Sequence, residues 1–301
     1  MESFMKISRS SLIRGAVALA TASLLSACGG DSVSPSGTLS VTPAKGAVYG
    51  APVAVYDAQG RQVGSGTTSA TTGDVSVDLY STGAAPYTVQ VRLVPGVKMW
   101  DESANNGSGA EITLDTDQGS MLAIALQVSE PIGVTPLTSV AAAIAGVTDP
   151  TKPPATFTPD SVVTAVAKTN ALFGLPATFN INTPPVPATA ANPTPTDTYG
   201  AVLKEMAVNA GEGGALTQLS DLISAGTDVA AGNLSSTTTT LAAVVNAAAS
   251  EASVEVSEPP ADLTSLNEAA AALEEAIKEE LEGNEPTGTT GPTGPTGLNT
   301  N

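Results

Sequence analysis

The chain has 301 residues, with 11 Lys and Arg against 29 Asp and Glu, a net charge of −18. Charged residues make up 13% and aromatic residues 3%, where an ordinary soluble domain is ~25% charged; histidine is absent and cysteine occurs once, at Cys28. These counts exclude a Ser-His-Asp or Cys-His nucleophile pair and the usual zinc sites. The acidic surface repels phosphate, so nucleic acid is not an expected partner.

The first segment, residues 1–27, is built like a secretory signal: Lys6, Arg9 and Arg14, then an uncharged run from Gly15 to Ala27. That run is too short to span ~30 Å of hydrocarbon comfortably as a permanent helix. Its end, Leu25-Ser26-Ala27-Cys28, resembles the bacterial lipobox. The resemblance implies a diacylglyceryl group on the Cys28 thiol, cleavage before Cys28, and acylation of the new amino group. Each buried methylene contributes ~0.8 kcal/mol, so two or more acyl chains anchor stably where one does not. Gly29, not aspartate, follows the cysteine, which among Gram-negative lipoproteins favours the outer membrane. Residues 28–36 then read as a flexible tether.

From 37 to 131 the apolar period is two. Strands are expected over 51–57, with Val53, Val55 and Ala51 inward, over 74–80, with Val75, Val77 and Leu79 inward, and over 87–93, with Val89, Val91 and Leu93 inward. Residues 120–128 form a more continuously apolar strand. Turn signals separate them at 57–60, 71–74, 81–86 and 105–109. This spacing argues an antiparallel β-sandwich. The stretch "GAPVAVYDAQGRQVGSGTTSATTGDVSVDLYSTGAAPYTVQVR" resembles the carboxypeptidase-regulatory-like, transthyretin-like Ig-type sandwich of bacterial surface proteins. In such proteins the domain commonly serves as a spacer, stalk or adhesive module and is not itself catalytic, an implication about fold more than function.

Residues 132–283 are expected to form an alanine-rich α-helical bundle, which makes the chain α+β and multi-domain. Helices are expected over 133–146 (Thr135 cap, Pro136 in the first turn, Gly146 at the end), 158–174 (Thr158, Pro159, Gly174), 197–211, 215–226, 237–253 and 265–283. The last begins with a capping box of Ser265 and Glu268 and carries a stripe of Leu266, Ala269, Ala270, Leu273, Ile277 and Leu281. The "VTPLT" start at 134–138 resembles the junction at which bacterial lipoproteins hand over from sandwich to helices. Residues 182–197 are proline-rich and read as an exposed linker, with a hinge or binding loop as the alternative. Residues 284–301 include glycine at every third position from Gly288 to Gly297, a collagen-like period too short to hold a triple helix; a disordered tail is expected.

The candidate chemistry is sparse. Asp115 and Asp117 sit in a turn that offers alternating oxygens to Ca²⁺, or simply a solvated hairpin. Trp100, the single tryptophan, is either a glycan platform together with Tyr56, Tyr80 or Tyr87, or a piece of core. Glu251, Glu255, Glu258 and the pairs Glu274–Glu275 and Glu279–Glu280 read as solvated helix faces rather than paired glycosidase carboxylates. The expectation is a lipid-anchored envelope protein, not an enzyme and without a cofactor. Its role would be structural, adhesive or protein-binding. The alternative is a ligand-binding lipoprotein that takes a glycan or small apolar molecule where sandwich meets bundle.

Overall fold

The computed structural model describes residues 37–80, 83–211 and 214–283, the side chains of 214, 215 and 280–283 excepted. The signal segment, the lipobox with Cys28, the tether and the collagen-like tail lie outside the described residues.

The fold is mixed α and β: strands come first, interrupted by one short helical turn between residues 101 and 110, and the longer helices follow. The strands are β1 (Gly37–Pro43), β2 (Val48–Tyr49), β3 (Pro52–Tyr56), β4 (Gln62–Thr67), β5 (Val75–Leu79), β6 (Tyr87–Arg92), β7 (Lys98–Asp101), β8 (Ala110–Thr113), β9 (Ser120–Ala125) and β10 (Ile132–Val134). Seven of them form one sheet in the order β10-β1-β5-β4-β3-β6-β9, and β2-β7-β8 form a second. Neighbours are antiparallel except β1 and β10, which run parallel with Val41 opposite Ile132. The large sheet curls until β10, at one end, meets β9 and β6 at the other. Near-closure of this kind shelters strand edges that would otherwise template aggregation.

The inward faces follow the period of two. Leu39, Val41, Val53, Val55, Val77, Leu79, Val89 and Val91 are buried in one apolar cluster, which Met99 of the smaller sheet joins. Strand β9 differs because both of its faces are covered. Met121 and Ala123 enter the sheet's interior, while Leu122 and Ile124 enter a second cluster formed with the helices. A strand buried on both faces needs no polar side, so residues 120–128 lack alternation.

The helices are a single turn α1 (Ala104–Gly107), then α2 (Pro136–Ile144), α3 (Pro159–Phe173), α4 (Thr198–Ala210), α5 (Gly214–Ala230), α6 (Ser236–Glu251) and α7 (Leu263–Gly283). Thr135 and Thr158 cap α2 and α3 with proline following each, and Gly174 ends α3 in the left-handed region. Helix α5 runs past its expected end at 226. Gly226 lies inside it because a methyl there would stand 2.8 Å from the Val140 carbonyl oxygen of α2. Close backbone approach, not helix termination, explains that glycine. Helix α7 is capped one turn earlier than expected: Asp262 Oδ1 accepts from the Ser265 N–H at 2.8 Å, and Ser265 Oγ accepts from the Asp262 N–H at 3.2 Å. Of its stripe, Leu266 and Ala270 are buried, Leu273 and Ile277 half-buried and Ala269 exposed. The Leu281 side chain lies outside the described residues.

Two boundaries differ from the sequence reading. The expected start of the helical region at 132 falls inside the sheet, since β10 pairs with β1. Residues 182–197 do not run free as a linker. The Gly133 N–H donates to the Asn182 carbonyl (2.8 Å), the Ala47 N–H to the Ala188 carbonyl (3.0 Å), and the Val186 N–H to Asp197 Oδ2 (2.8 Å). Pro185, Ala188 and Pro195 are buried. The described strands and helices belong to one compact unit.

Candidate functional site

The alternative reading placed a ligand site at the junction, beside residues 134–138, and the polar groups there turn inward. Residues Thr135, Thr138 and Ser139 are fully or almost fully buried. Leu122 pairs in register with Gln90 of β6, yet its own N–H and carbonyl go to α2. The N–H donates to Ser139 Oγ (3.0 Å), and the carbonyl accepts from Thr138 Oγ1 (2.8 Å) and Ser139 Oγ (3.3 Å). Two hydroxyls thus stand where a further strand would pair, and they close the outer edge of β9. The Thr135 hydroxyl bonds the Tyr199 hydroxyl at 2.6 Å and ties α4 to the same point. Burial pushes the Tyr199 phenol well above its ordinary range. The segment is a clasp.

Beside the clasp lies a shallow groove of about 320 Å³, lined by Gln90, Ser120, Leu122, Ser139, Val147 and Ile223 among others. Its lining carries no charge. Gln90 Nε2 donates to Ser120 Oγ (3.1 Å), and the Tyr56 hydroxyl donates to Gln90 Oε1 (3.4 Å). A second depression of about 260 Å³ lies between α2 and α3, near Ile144 and Lys168.

Trp100 is no open platform, because only 9% of it is exposed. A methyl on Gly109 would stand 2.5 Å from its ring, and one on Gly46 would stand 1.9 Å from its carbonyl oxygen. The indole is a packed wall, and its Nε1 has no hydrogen-bond partner among the described residues. Of the tyrosines, Tyr56 and Tyr87 are buried, while Tyr80 is exposed.

Next to Trp100 the structure gathers charges that the sequence reading did not single out. Lys45, Asp101 and Glu102 are all buried. Lys45 sits in the turn from β1 to β2, and the pairing of β2 with β7 brings that turn against Asp101 and Glu102. Burial pushes the Glu102 carboxyl up to about 7 and the Lys45 ammonium down to about 8, each partly offset by the other's charge. Asp101 Oδ1 accepts from the Ser103 N–H (3.0 Å) and hydroxyl (2.6 Å). The charges stand in "PAKGA" and "MWDES", but nothing within either stretch marks them for burial.

The remaining candidates stay apart. Asp115 and Asp117 are exposed. Asp117 Oδ1 accepts from the Gly119 N–H (2.8 Å), and its Oδ2 lies 3.5 Å from Arg92. Among the described residues no three His, Cys, Asp or Glu side chains gather as a metal site would require. Glu251 accepts from Asn209 across to α4 (3.4 Å). Glu274 accepts from Thr164 (3.1 Å) and pairs with Lys278 (2.7 Å), which holds its carboxyl below the usual range. Glu255, Glu258, Glu275 and Glu279 are exposed. Among the described residues no helix is long and apolar enough to cross a membrane. Compared with known proteins, the chain matches no family model, no curated protein and no solved structure.

Proposed function

We propose that this chain is a lipid-anchored protein of the bacterial envelope, held at the outer membrane through acyl chains on Cys28, with a non-catalytic structural, adhesive or protein-binding body. On this reading the strand-rich half is a transthyretin-like, Ig-type spacer and the helices are a bundle fastened to it. One structural observation carries the non-catalytic part. The polar side chains best placed to act at the strand–helix junction, Thr135, Thr138 and Ser139, are consumed in internal hydrogen bonds, and the Trp100 ring is packed rather than presented.

The anchor is tested by growing cells with labelled fatty acid. Label should enter the wild-type chain and be lost in Cys28→Ser; equal labelling of both would overturn the anchor. Crosslinking in intact cells, followed by identification of the captured proteins, tests the interaction role. A second reading, a binding lipoprotein for a neutral glycan, is favoured by the uncharged groove at Gln90, Ser120 and Ile223. Saturable binding of a neutral oligosaccharide, lost in Ile223→Arg, would prefer it over the first.

A further inference from the structure

Three ionisable side chains lie together inside a chain that carries few charges. Lys45 is 4% exposed, Asp101 6% and Glu102 2%. Placing charge in such surroundings costs several kcal/mol per ion unless it is fully hydrogen-bonded. Glu102 is not fully bonded. The N–H groups of Gly46 and of Glu102 itself serve its carboxylate, but its Oε2 has no partner among the described residues. An orphaned carboxylate oxygen is tolerable when the group is protonated and costly when it is ionised.

This corner is also where several segments meet. The Ala47 N–H, two residues from Lys45, donates to the Ala188 carbonyl of the proline-rich segment. The loop after Glu102 turns back through Asn105 and Asn106, both in the left-handed region (φ 52° and 56°). It presses Gly109 on the Trp100 ring and brings Gly107 to Val208 of α4. Among the described residues the charged groups facing Glu102 are few. The β1–β2 turn offers Lys45 and β7 offers Asp101. On β8, Glu111 is paired with Lys98 (2.8 Å). The loop 103–109 has no charged residue, and residues 182–197 have only Asp197, which is bonded to the Val186 and Gly200 N–H groups.

We propose that this cluster is a pH-operated latch: ionisation of Glu102 loosens the 103–109 loop from Trp100 and α4 and opens the Ala47–Ala188 contact. The driving force is hydration. Once ionised, the unpartnered oxygen draws in water, and the packed Gly46, Gly109 and indole leave room for it only if the loop moves.

The direction follows from linkage. Glu102 holds its proton up to about pH 7 in the fold, against 4.5 ordinarily. The folded state therefore binds the extra proton, and stability falls as pH rises through that window. Lys45 gives up its proton near 8 in the fold, against 10.5 ordinarily. Stability therefore climbs again as pH rises from 8 to 10.5. The corner is weakest between these windows, around neutrality.

The single tryptophan makes the latch readable in the full-length protein in detergent. Acrylamide quenching of Trp100, followed from pH 5 to 9, should increase several-fold with a midpoint near 7, and the Ala47 amide should exchange faster over the same range. In Glu102→Gln the step should vanish. In Lys45→Met, which keeps the carboxyl and removes its neighbouring positive charge, the step should persist at higher pH. Quenching that stays flat in the wild type while circular dichroism remains native would overturn the latch. So would an unchanged step in Glu102→Gln. If Glu102→Gln does not fold, the Lys45→Met midpoint decides: an upward shift supports the latch, and an unmoved midpoint overturns it.

Discussion

Alanine at Gly46 should cost about 4 kcal/mol or more, among the largest single-residue losses this fold can show. Two effects add. The backbone there has φ +62°, a region that an L-residue occupies at a cost of ~1–2 kcal/mol. The new methyl would also stand 1.9 Å from the Trp100 carbonyl oxygen and 2.8 Å from its carbon. Backbone cannot swing aside as a flexible side chain can, so the β1–β2 turn must separate from β7. That separation breaks the Trp100 N–H bond to the Ala47 carbonyl (2.9 Å) and removes the Gly46 N–H from the buried Glu102 carboxylate. Gly50 supplies the control. Its φ is +71°, yet among the described residues nothing lies within 4 Å of a methyl placed on it. Gly50→Ala should lose only about 1 kcal/mol, the conformational part alone. Urea unfolding of the two variants separates the effects, and equal midpoints would show that the close approach at Trp100 has no energetic consequence.

Local chemistry made much of this fold readable. Alternation placed Val53, Val55, Val77, Leu79, Val89 and Val91 on one face, and all are buried. The Thr-Pro pairs at 135–136 and 158–159 marked two helix starts to the residue. What was not readable depends on partners distant in sequence. Residues 132–134 look like a lead-in to a helix, but β1, some ninety residues earlier, recruits them as a strand. Gly226 has the look of a helix end and is instead the contact point with Val140. Residues 182–197 have the proline-rich composition of a free connection, while the Asn182 and Ala188 carbonyls find donors at Gly133 and Ala47. Asp262 outcompetes Ser265 as the cap of α7 because its carboxylate reaches the Ser265 N–H at 2.8 Å.

The candidate site was harder still. Trp100 drew attention by being the only tryptophan, whereas Lys45 and Glu102 look like ordinary turn residues. They become unusual only when β2 pairs with β7. No window along the chain contains that information, since burial of a charge is a property of the assembled fold.

Removing the hydroxyls of the clasp is the other change with a large expected effect. Ser139→Ala takes the partner from the Leu122 N–H, bonded at 3.0 Å, while Thr138 continues to serve the carbonyl at 2.8 Å. The loss should be ~1–3 kcal/mol, the cost of one buried orphaned donor. Thr138→Val keeps the shape and removes the main donor to the Leu122 carbonyl. It also removes the acceptor for the Thr135 N–H (2.8 Å), half of the α2 capping box. In the double variant neither hydroxyl remains, so the outer edge of β9 is left unpaired beneath α2. A loss of roughly 3–9 kcal/mol follows from three buried backbone groups without partners, the Leu122 N–H and carbonyl and the Thr135 N–H. It should exceed the sum of the single losses, because each hydroxyl partly covers for the other at the carbonyl. Hydrogen exchange at the Leu122 amide should accelerate in Ser139→Ala and in the double variant. Thr138→Ser keeps the hydroxyl and should stay near wild type. That contrast separates a structural hydroxyl from a methyl that merely fills space: if Thr138→Ser is as unstable as Thr138→Val, the lost methyl contact and not the bond to Leu122 holds the helix to the sheet.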